Sequence, residues 1–112
     1  MSSRRMLVEL LYLDGCPGIE RVLPIVGPLA EACGARVVQR RVETLQEAEA
    51  ERFLGSPTVR VDGVDVEPGA EQRDGFGLKC RLYRTVHGLD GVPEEDWVRD
   101  ALRRTTEASG HG

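Results

Sequence analysis

The 112-residue sequence lacks any long hydrophobic run, so it contains no candidate transmembrane helix. It also lacks an excess of basic residues: 15 Lys and Arg stand against 19 Asp and Glu, giving a net charge of -4. With no basic stripe, nucleic acid is not an expected partner. Residues 2–5 resemble a signal-peptide start, but Glu9 and Asp14 interrupt the apolar run that follows and no small-residue cleavage site is present. We therefore expect a cytoplasmic protein without membrane contact.

Cysteine and histidine are scarce as well. Three cysteines, an odd number, do not resemble the disulfide framework of a small secreted protein. The two histidines, His87 and His111, lie far apart, and no Cys/His cluster has zinc-finger spacing. We expect neither a structural zinc site nor a bound cofactor.

What the sequence does contain is an apolar run, Leu10 to Leu13, that ends at Asp14-Gly15 and is followed at once by Cys16. The run predicts a strand over residues 6–13, buried on both faces. After Cys16, apolar residues at helical spacing predict a helix to Cys33 with a kink near Pro24. The unpaired N–H groups and the dipole at a helix start favour a thiolate, so Cys16 is a candidate nucleophile.

Periodicity and turn residues predict the remaining elements. These are a strand at 35–43, a helix from 45 to about 53 with a capping box of Thr44 and Glu47, a hairpin around Asp62-Gly63, a loop at 67–79, a helical turn at 80–86 and a helix from Pro93 to residue 104. Residues 6–104 then form one domain, with a flexible N-terminus at 1–5 and a disordered tail at 105–112.

The order β-α-β-α-β-β-α, with Cys16 after the first strand and Pro24 eight residues later, resembles the thioredoxin-like superfamily. Ser56-Pro57-Thr58, just before a strand and a VDG hairpin, resembles the cis-proline segment of that family. The string DGCP…GSPT…VDG…CRLYRT also resembles small bacterial thioredoxin-like proteins. The resemblance covers about residues 6–104. It implies an α/β fold with a four-stranded mixed sheet and helices on both faces, and a substrate segment held by Ser56, Pro57 and Thr58.

The motif departs from the family at one important position. Thioredoxins have Cys-x-x-Cys, whereas Ile19 stands at the second cysteine position here, so dithiol exchange within the motif is impossible. Cys80 is the best partner thiol, because the Gly-rich loop before it is able to fold over the site. Lys79 and Arg81 flank Cys80, and positive neighbours lower the pKa of a thiol. The alternative is that Cys80 is a half-buried structural residue; Cys33 is expected in the core.

Three functions follow as hypotheses. The first is a thiol-disulfide redox protein whose substrate is a disulfide or thiol, in a protein or a small molecule. Cys16 attacks, and either Cys80 or an external thiol resolves the mixed disulfide.

The second hypothesis is the handling of a soft metal such as Hg(II), Cu(I) or arsenite by Cys16 and Cys80. Asp14 would then be a proton donor in organomercurial chemistry, although an Asp before Gly is also ordinary turn chemistry. The third is a non-redox catalytic, accessory or interaction protein that kept the fold. The chain is expected to be a monomer or a homodimer.

Overall fold

The structure is a computed structural model and describes residues 6–109. Its strands and helices, in chain order, are β1 (Leu7–Tyr12), α1 (Gly18–Ala32), β2 (Arg36–Arg41), α2 (Leu45–Ala50), β3 (Thr58–Val61), β4 (Val64–Asp65), β5 (Tyr83–Thr85), β6 (Gly88–Asp90) and α3 (Glu95–Ser109). A 3-10 turn, Ala70–Gln72, interrupts the loop before β5. None of the helices in the described part is long and apolar enough to cross a bilayer.

The main sheet has the strand order β2-β1-β3-β4. β1 runs parallel to β2 and antiparallel to β3, and β3 and β4 form the antiparallel hairpin predicted at Asp62-Gly63. The predicted α/β class and four-stranded mixed sheet are therefore confirmed. β5 and β6 form a separate antiparallel pair.

Two buried clusters lie on opposite faces of this sheet, because successive side chains of a strand point to opposite sides. Leu10 packs into the larger cluster, to which α1 contributes Val22 and α3 contributes Leu102. Leu11, the next residue, packs into the smaller cluster with Ala48 of α2. Helices therefore cover both faces, and Val8, Leu10 and Leu11 of β1 are fully buried, whereas Glu9 is partly exposed and pairs with Arg40.

The first helix continues through Pro24 and Pro28, whose side chains are exposed. It ends at Ala32, one residue before the predicted Cys33, and Gly34 follows with a φ of +71° that suits glycine. Cys33, the residue before, is exposed, so its prediction as a core residue is wrong. The physical reason is its position at the helix C-cap, beyond Ala30, the last buried residue of α1.

Two further predictions need correction. Residues 80–86 do not form a helical turn, because Tyr83–Thr85 pairs as a strand with Gly88–Asp90. The last helix begins at Glu95, two residues after Pro93, and continues to Ser109, so the predicted tail is wrong for residues 105–109. There the hydroxyls of Thr105 and Thr106 donate to main-chain carbonyls one turn earlier in the helix. The expectations for residues 1–5 and 110–112 lie outside the described residues.

Candidate functional site

Cys16 lies in the turn that joins β1 to α1. Its backbone N–H donates to the Leu13 carbonyl at 3.2 Å, and α1 begins two residues later at Gly18. The thiol is 9% exposed and donates to the Ser56 carbonyl oxygen, 3.7 Å from Sγ. The predicted strand-to-helix junction thus places a nearly buried thiol at the start of a helix, where the dipole is positive.

The segment from Ser56 to Thr58 lies beside Cys16 and is itself buried. Ser56 Oγ accepts the Leu13 N–H at 3.0 Å, which ties this segment to the end of β1. The Ser56–Pro57 peptide bond is cis. The Pro57 ring lies against Gly18, where an added Cβ would be 2.7 Å from Pro57 Cδ and 3.5 Å from Cys16 Sγ. A glycine at residue 18 therefore allows α1 to start directly against Pro57 and the thiol.

Cys80 lies beside Ser56 because residues 79–81 pair with Ser56 through backbone hydrogen bonds. The Ser56 N–H donates to the Lys79 carbonyl at 2.8 Å, and the Arg81 N–H donates to the Ser56 carbonyl at 2.9 Å. Ser56 and Cys80 are consequently paired in a short parallel bridge. Paired residues project their side chains to the same face, and the Ser56 hydroxyl points to the end of β1. The structure therefore brings Cys16 and Cys80 together, close enough for their side chains to interact.

The two thiols interact electrostatically. A negative charge on Cys16, and then a hydrogen bond between the two side chains, raise the pKa of Cys80 above its ordinary value. The prediction that Lys79 and Arg81 lower this pKa is wrong, because Arg81 turns away into a buried network and Lys79 Nζ lies towards Gly75.

Arg81, expected from the sequence only as a positive neighbour of Cys80, is buried and anchors the segment that holds Cys80. Its side chain is 1% exposed and forms ion pairs with Asp65 at 2.7 Å and Glu67 at 2.6 Å. The guanidinium also donates to Thr58 Oγ1 at 3.0 Å and lies 4.4 Å from the centre of the Tyr83 ring. Burial opposes its charge, but the surrounding negative and aromatic groups outweigh burial and raise the pKa of Arg81. This network fixes the residue that follows Cys80.

Tyr83 holds the backbone of Pro57 from the buried side of the site. It is fully buried, and its hydroxyl donates to the Pro57 carbonyl oxygen. Burial is the main cause that raises the pKa of this phenol, so Tyr83 stays a neutral donor. Arg84, the next residue, is exposed.

Asp14 lies apart from this arrangement. Its side chain is 84% exposed, and its carboxylate faces Arg41 Nη1 at 3.8 Å. Both residues line a shallow surface depression with Val42 and Glu43. The geometry gives Asp14 a partner on β2 rather than a contact with the thiol pair.

Within residues 6–109, no group of three or more His, Cys, Asp or Glu side chains is arranged to hold a metal ion. Comparison with protein-family models, curated proteins and solved structures found no match for this chain. The geometry around the two cysteines therefore carries the functional argument.

Proposed function

We propose that the protein is a thioredoxin-like thiol-disulfide redox protein in which Cys16 is the nucleophile and Cys80 the resolving thiol. The observation that carries this proposal is the position of Ser56, whose carbonyl contacts the Cys16 thiol while its backbone pairs with Cys80. The strand order β2-β1-β3-β4, and a cysteine placed before α1 and beside Pro57, support the thioredoxin-like assignment. The cytoplasmic location stays part of the same proposal and rests on the sequence alone.

The chemistry follows from the two environments. The Cys16 thiolate attacks one sulfur of a disulfide RS–SR′; the S–S bond breaks, a Cys16–S–R bond forms, and R′S⁻ leaves and takes a proton from water. Cys80 then loses its proton to solvent and attacks Cys16 Sγ, which releases RS⁻ and forms the Cys16–Cys80 disulfide. The substrate gains two electrons and the protein loses two. A low-molecular-weight thiol in excess returns the protein to the dithiol by the reverse exchange.

Two features support this division of roles. Cys16 lies directly before α1, whereas a negative charge on Cys16 raises the pKa of Cys80. A protonated, exposed second thiol does not compete for the first attack, and it lies next to the mixed disulfide once this has formed.

A soft metal is a second candidate function, favoured by the same pair of thiols. Two adjacent sulfur ligands suit a soft cation such as Hg(II) or Cu(I). Asp14, the expected proton donor for organomercurial cleavage, is directed to Arg41 instead. The structure thus offers support for metal capture by sulfur but none for Asp14 as the acid of a cleavage reaction.

The test uses Cys33 as an internal reference, because its thiol is exposed and lies at the far end of α1. The protein is treated with a small aromatic disulfide, and each cysteine is followed by peptide mass spectrometry. We expect Cys16 to react first, a Cys16–Cys80 link to form in the wild type, and a stable mixed disulfide to accumulate on Cys16 in Cys80→Ser. A Cys16 that reacts no faster than Cys33 contradicts the redox proposal. Stoichiometric Hg(II) binding that is lost in either Cys16→Ser or Cys80→Ser, without disulfide exchange, would favour metal capture.

A further inference from the structure

We propose that the site acts on low-molecular-weight disulfides and excludes extended peptide chains, because residues 79–81 occupy the backbone groups beside Cys16 that a peptide would need. This inference rests on the proposed redox function and specifies its substrate class.

An extended peptide binds a protein mainly by adding a strand to a free backbone edge, where main-chain hydrogen bonds supply affinity. The backbone edge nearest to the Cys16 thiol is that of Ser56 and Pro57. The Ser56 N–H is used by Lys79 and the Ser56 carbonyl by Arg81. Pro57 has no N–H, and its carbonyl already accepts the Tyr83 hydroxyl. Residues 79–81 therefore occupy the backbone edge that a peptide substrate would pair with.

Residues 79–81 are not free to swing away. At one end, Arg81 is held by Asp65 and Glu67 in a buried ion-pair network. At the other, the buried Gly77 donates its N–H to the Phe53 carbonyl at 3.1 Å. Moving the segment out would leave buried charges unpaired, which is costly.

The fit beneath this segment is also close. An added Cβ on Gly55 would lie 2.8 Å from Arg81 Cβ and 3.1 Å from the Lys79 carbonyl oxygen. Because not even one added carbon atom fits there without a clash, no second chain can lie between Gly55 and residues 79–81. Peptide binding at this place would need the whole segment to be displaced.

The Cys80 sulfur is the part of the thiol pair that solvent and small molecules can reach. The Cys80 side chain is exposed and lies next to the Cys16 thiol, whereas only 9% of Cys16 is exposed. A disulfide with short substituents can present one sulfur there without backbone contacts. A disulfide within an extended chain carries flanking residues that meet residues 79–81.

The experiment compares two mixed disulfides that share a nitrothiobenzoate leaving group, one built on cysteamine and one on a cysteine within a neutral decapeptide. Release of the chromophore by the Cys33→Ser protein gives the two second-order rates, each divided by the rate with free cysteamine thiol. We expect the small disulfide to react about tenfold faster or more after this correction. Equal corrected rates would overturn the size selection while leaving the redox proposal intact. No reaction above that of a Cys16→Ser variant that also carries Cys33→Ser, with either probe, would overturn both.

A substitution tests the anchor separately. Arg81→Lys keeps a positive charge but loses the planar fork that reaches Asp65 and Glu67 together. We expect the ratio of peptide to small-molecule rate to rise in the folded variant, because residues 79–81 separate more easily from Ser56. Arg84→Lys, at an exposed neighbouring position, serves as the control and should leave the ratio unchanged. An unchanged ratio in folded Arg81→Lys would overturn the anchoring role. If this variant does not fold, the comparison of the two disulfides with the Cys33→Ser protein alone decides the proposal.

Discussion

Ser56 lies opposite Cys80 in a parallel bridge, and the same serine accepts the thiol hydrogen bond of the other cysteine in the site. One backbone position thus relates two cysteines that are far apart in the sequence. Cys16 is held by the β1–α1 turn, and Cys80 by the hydrogen bonds of its two neighbours, one of which is Arg81 with its buried ion pairs. The geometry of the pair is therefore testable by substitutions that leave both cysteines in place.

The first prediction concerns pH. A negative charge on Cys16 disfavours a second negative charge nearby, so removing it should lower the pKa of Cys80. The rate of iodoacetamide alkylation at Cys80 follows the fraction of thiolate. On raising the pH, this rate should therefore begin to increase at a lower pH in Cys16→Ser than in the wild type. Peptide mass spectrometry after timed alkylation gives both curves. Cys33→Ser is the control and should leave the Cys80 curve in place; superimposable curves for Cys16→Ser and wild type would contradict the coupling.

The second prediction concerns the start of α1. In Gly18→Ala the new methyl group would lie 2.7 Å from Pro57 Cδ and 3.5 Å from Cys16 Sγ, so Pro57 or the start of α1 must shift. Overpacking of this kind lowers the free energy of unfolding by about 1–3 kcal/mol. We also expect slower attack by Cys16, measured as release of nitrothiobenzoate.

Gly27→Ala is the matched control in the same helix, because nothing lies within 4 Å of its added Cβ. The gain in helix propensity of about 1 kcal/mol is offset by the restriction that Pro28 places on the residue before it. Stability and thiol reactivity should both stay close to the wild type. Equal losses in the two variants would show that the contact with Pro57 is unimportant.

The third prediction concerns the buried cation. Arg81→Met fills a similar volume but leaves the Asp65 carboxylate without its ion-pair partner. Glu67 keeps a second ion pair, with Arg73 at 2.7 Å. Breaking a buried pair from one side costs about 3–5 kcal/mol, and the partial exposure of Asp65 favours the lower end. Urea unfolding followed by circular dichroism measures the loss.

Arg99→Met provides the comparison on the surface. Arg99 is half exposed and forms ion pairs with Glu95 and Asp96 within α3. Exposed pairs contribute about 1 kcal/mol or less, so this variant should unfold at nearly the wild-type urea concentration. A similar small loss in Arg81→Met would mean that its network does not hold the segment.

The fourth prediction uses two glycines with positive φ. Gly55 has a φ of +136°, and its added Cβ would also lie 2.8 Å from Arg81 Cβ. Gly63, in the β3–β4 turn, has a φ of +86° with nothing within 4 Å of an added Cβ. Backbone strain alone predicts a loss of about 1 kcal/mol for Gly63→Ala, whereas strain and overpacking together predict about 3 kcal/mol for Gly55→Ala. Thermal unfolding of both variants tests the difference, and equal midpoints would contradict it.

The sequence predicted those elements whose signals are local. The capping box of α2 is present, with Thr44 Oγ1 accepting the Glu47 N–H at 3.0 Å and Glu47 Oε1 accepting the Thr44 N–H at 3.2 Å. Asp62 and Gly63 both take positive φ, as a tight hairpin requires. The junction before Cys16 was predictable for the same reason, since an apolar strand followed by turn residues needs no distant partner.

The remaining features depend on contacts that periodicity does not encode. Residues 83–85 become a strand only because Gly88–Asp90 returns beside them. Arg81 is a positively charged neighbour of Cys80 in the sequence, yet its ion-pair partners, Asp65 and Glu67, come 16 and 14 residues earlier. A charge pattern indicates solvated residues by default, so the burial of this arginine and the direction of the Cys80 pKa shift became visible only in three dimensions.

Trp97, the single tryptophan of the chain, lies with its ring centre 6.2 Å from that of Tyr83, whose hydroxyl holds the Pro57 carbonyl. The protein consequently contains its own optical probe at the base of the thiol site. Tryptophan emission can be followed in real time while Cys16 and Cys80 are oxidised or bind a heavy atom, without any attached dye.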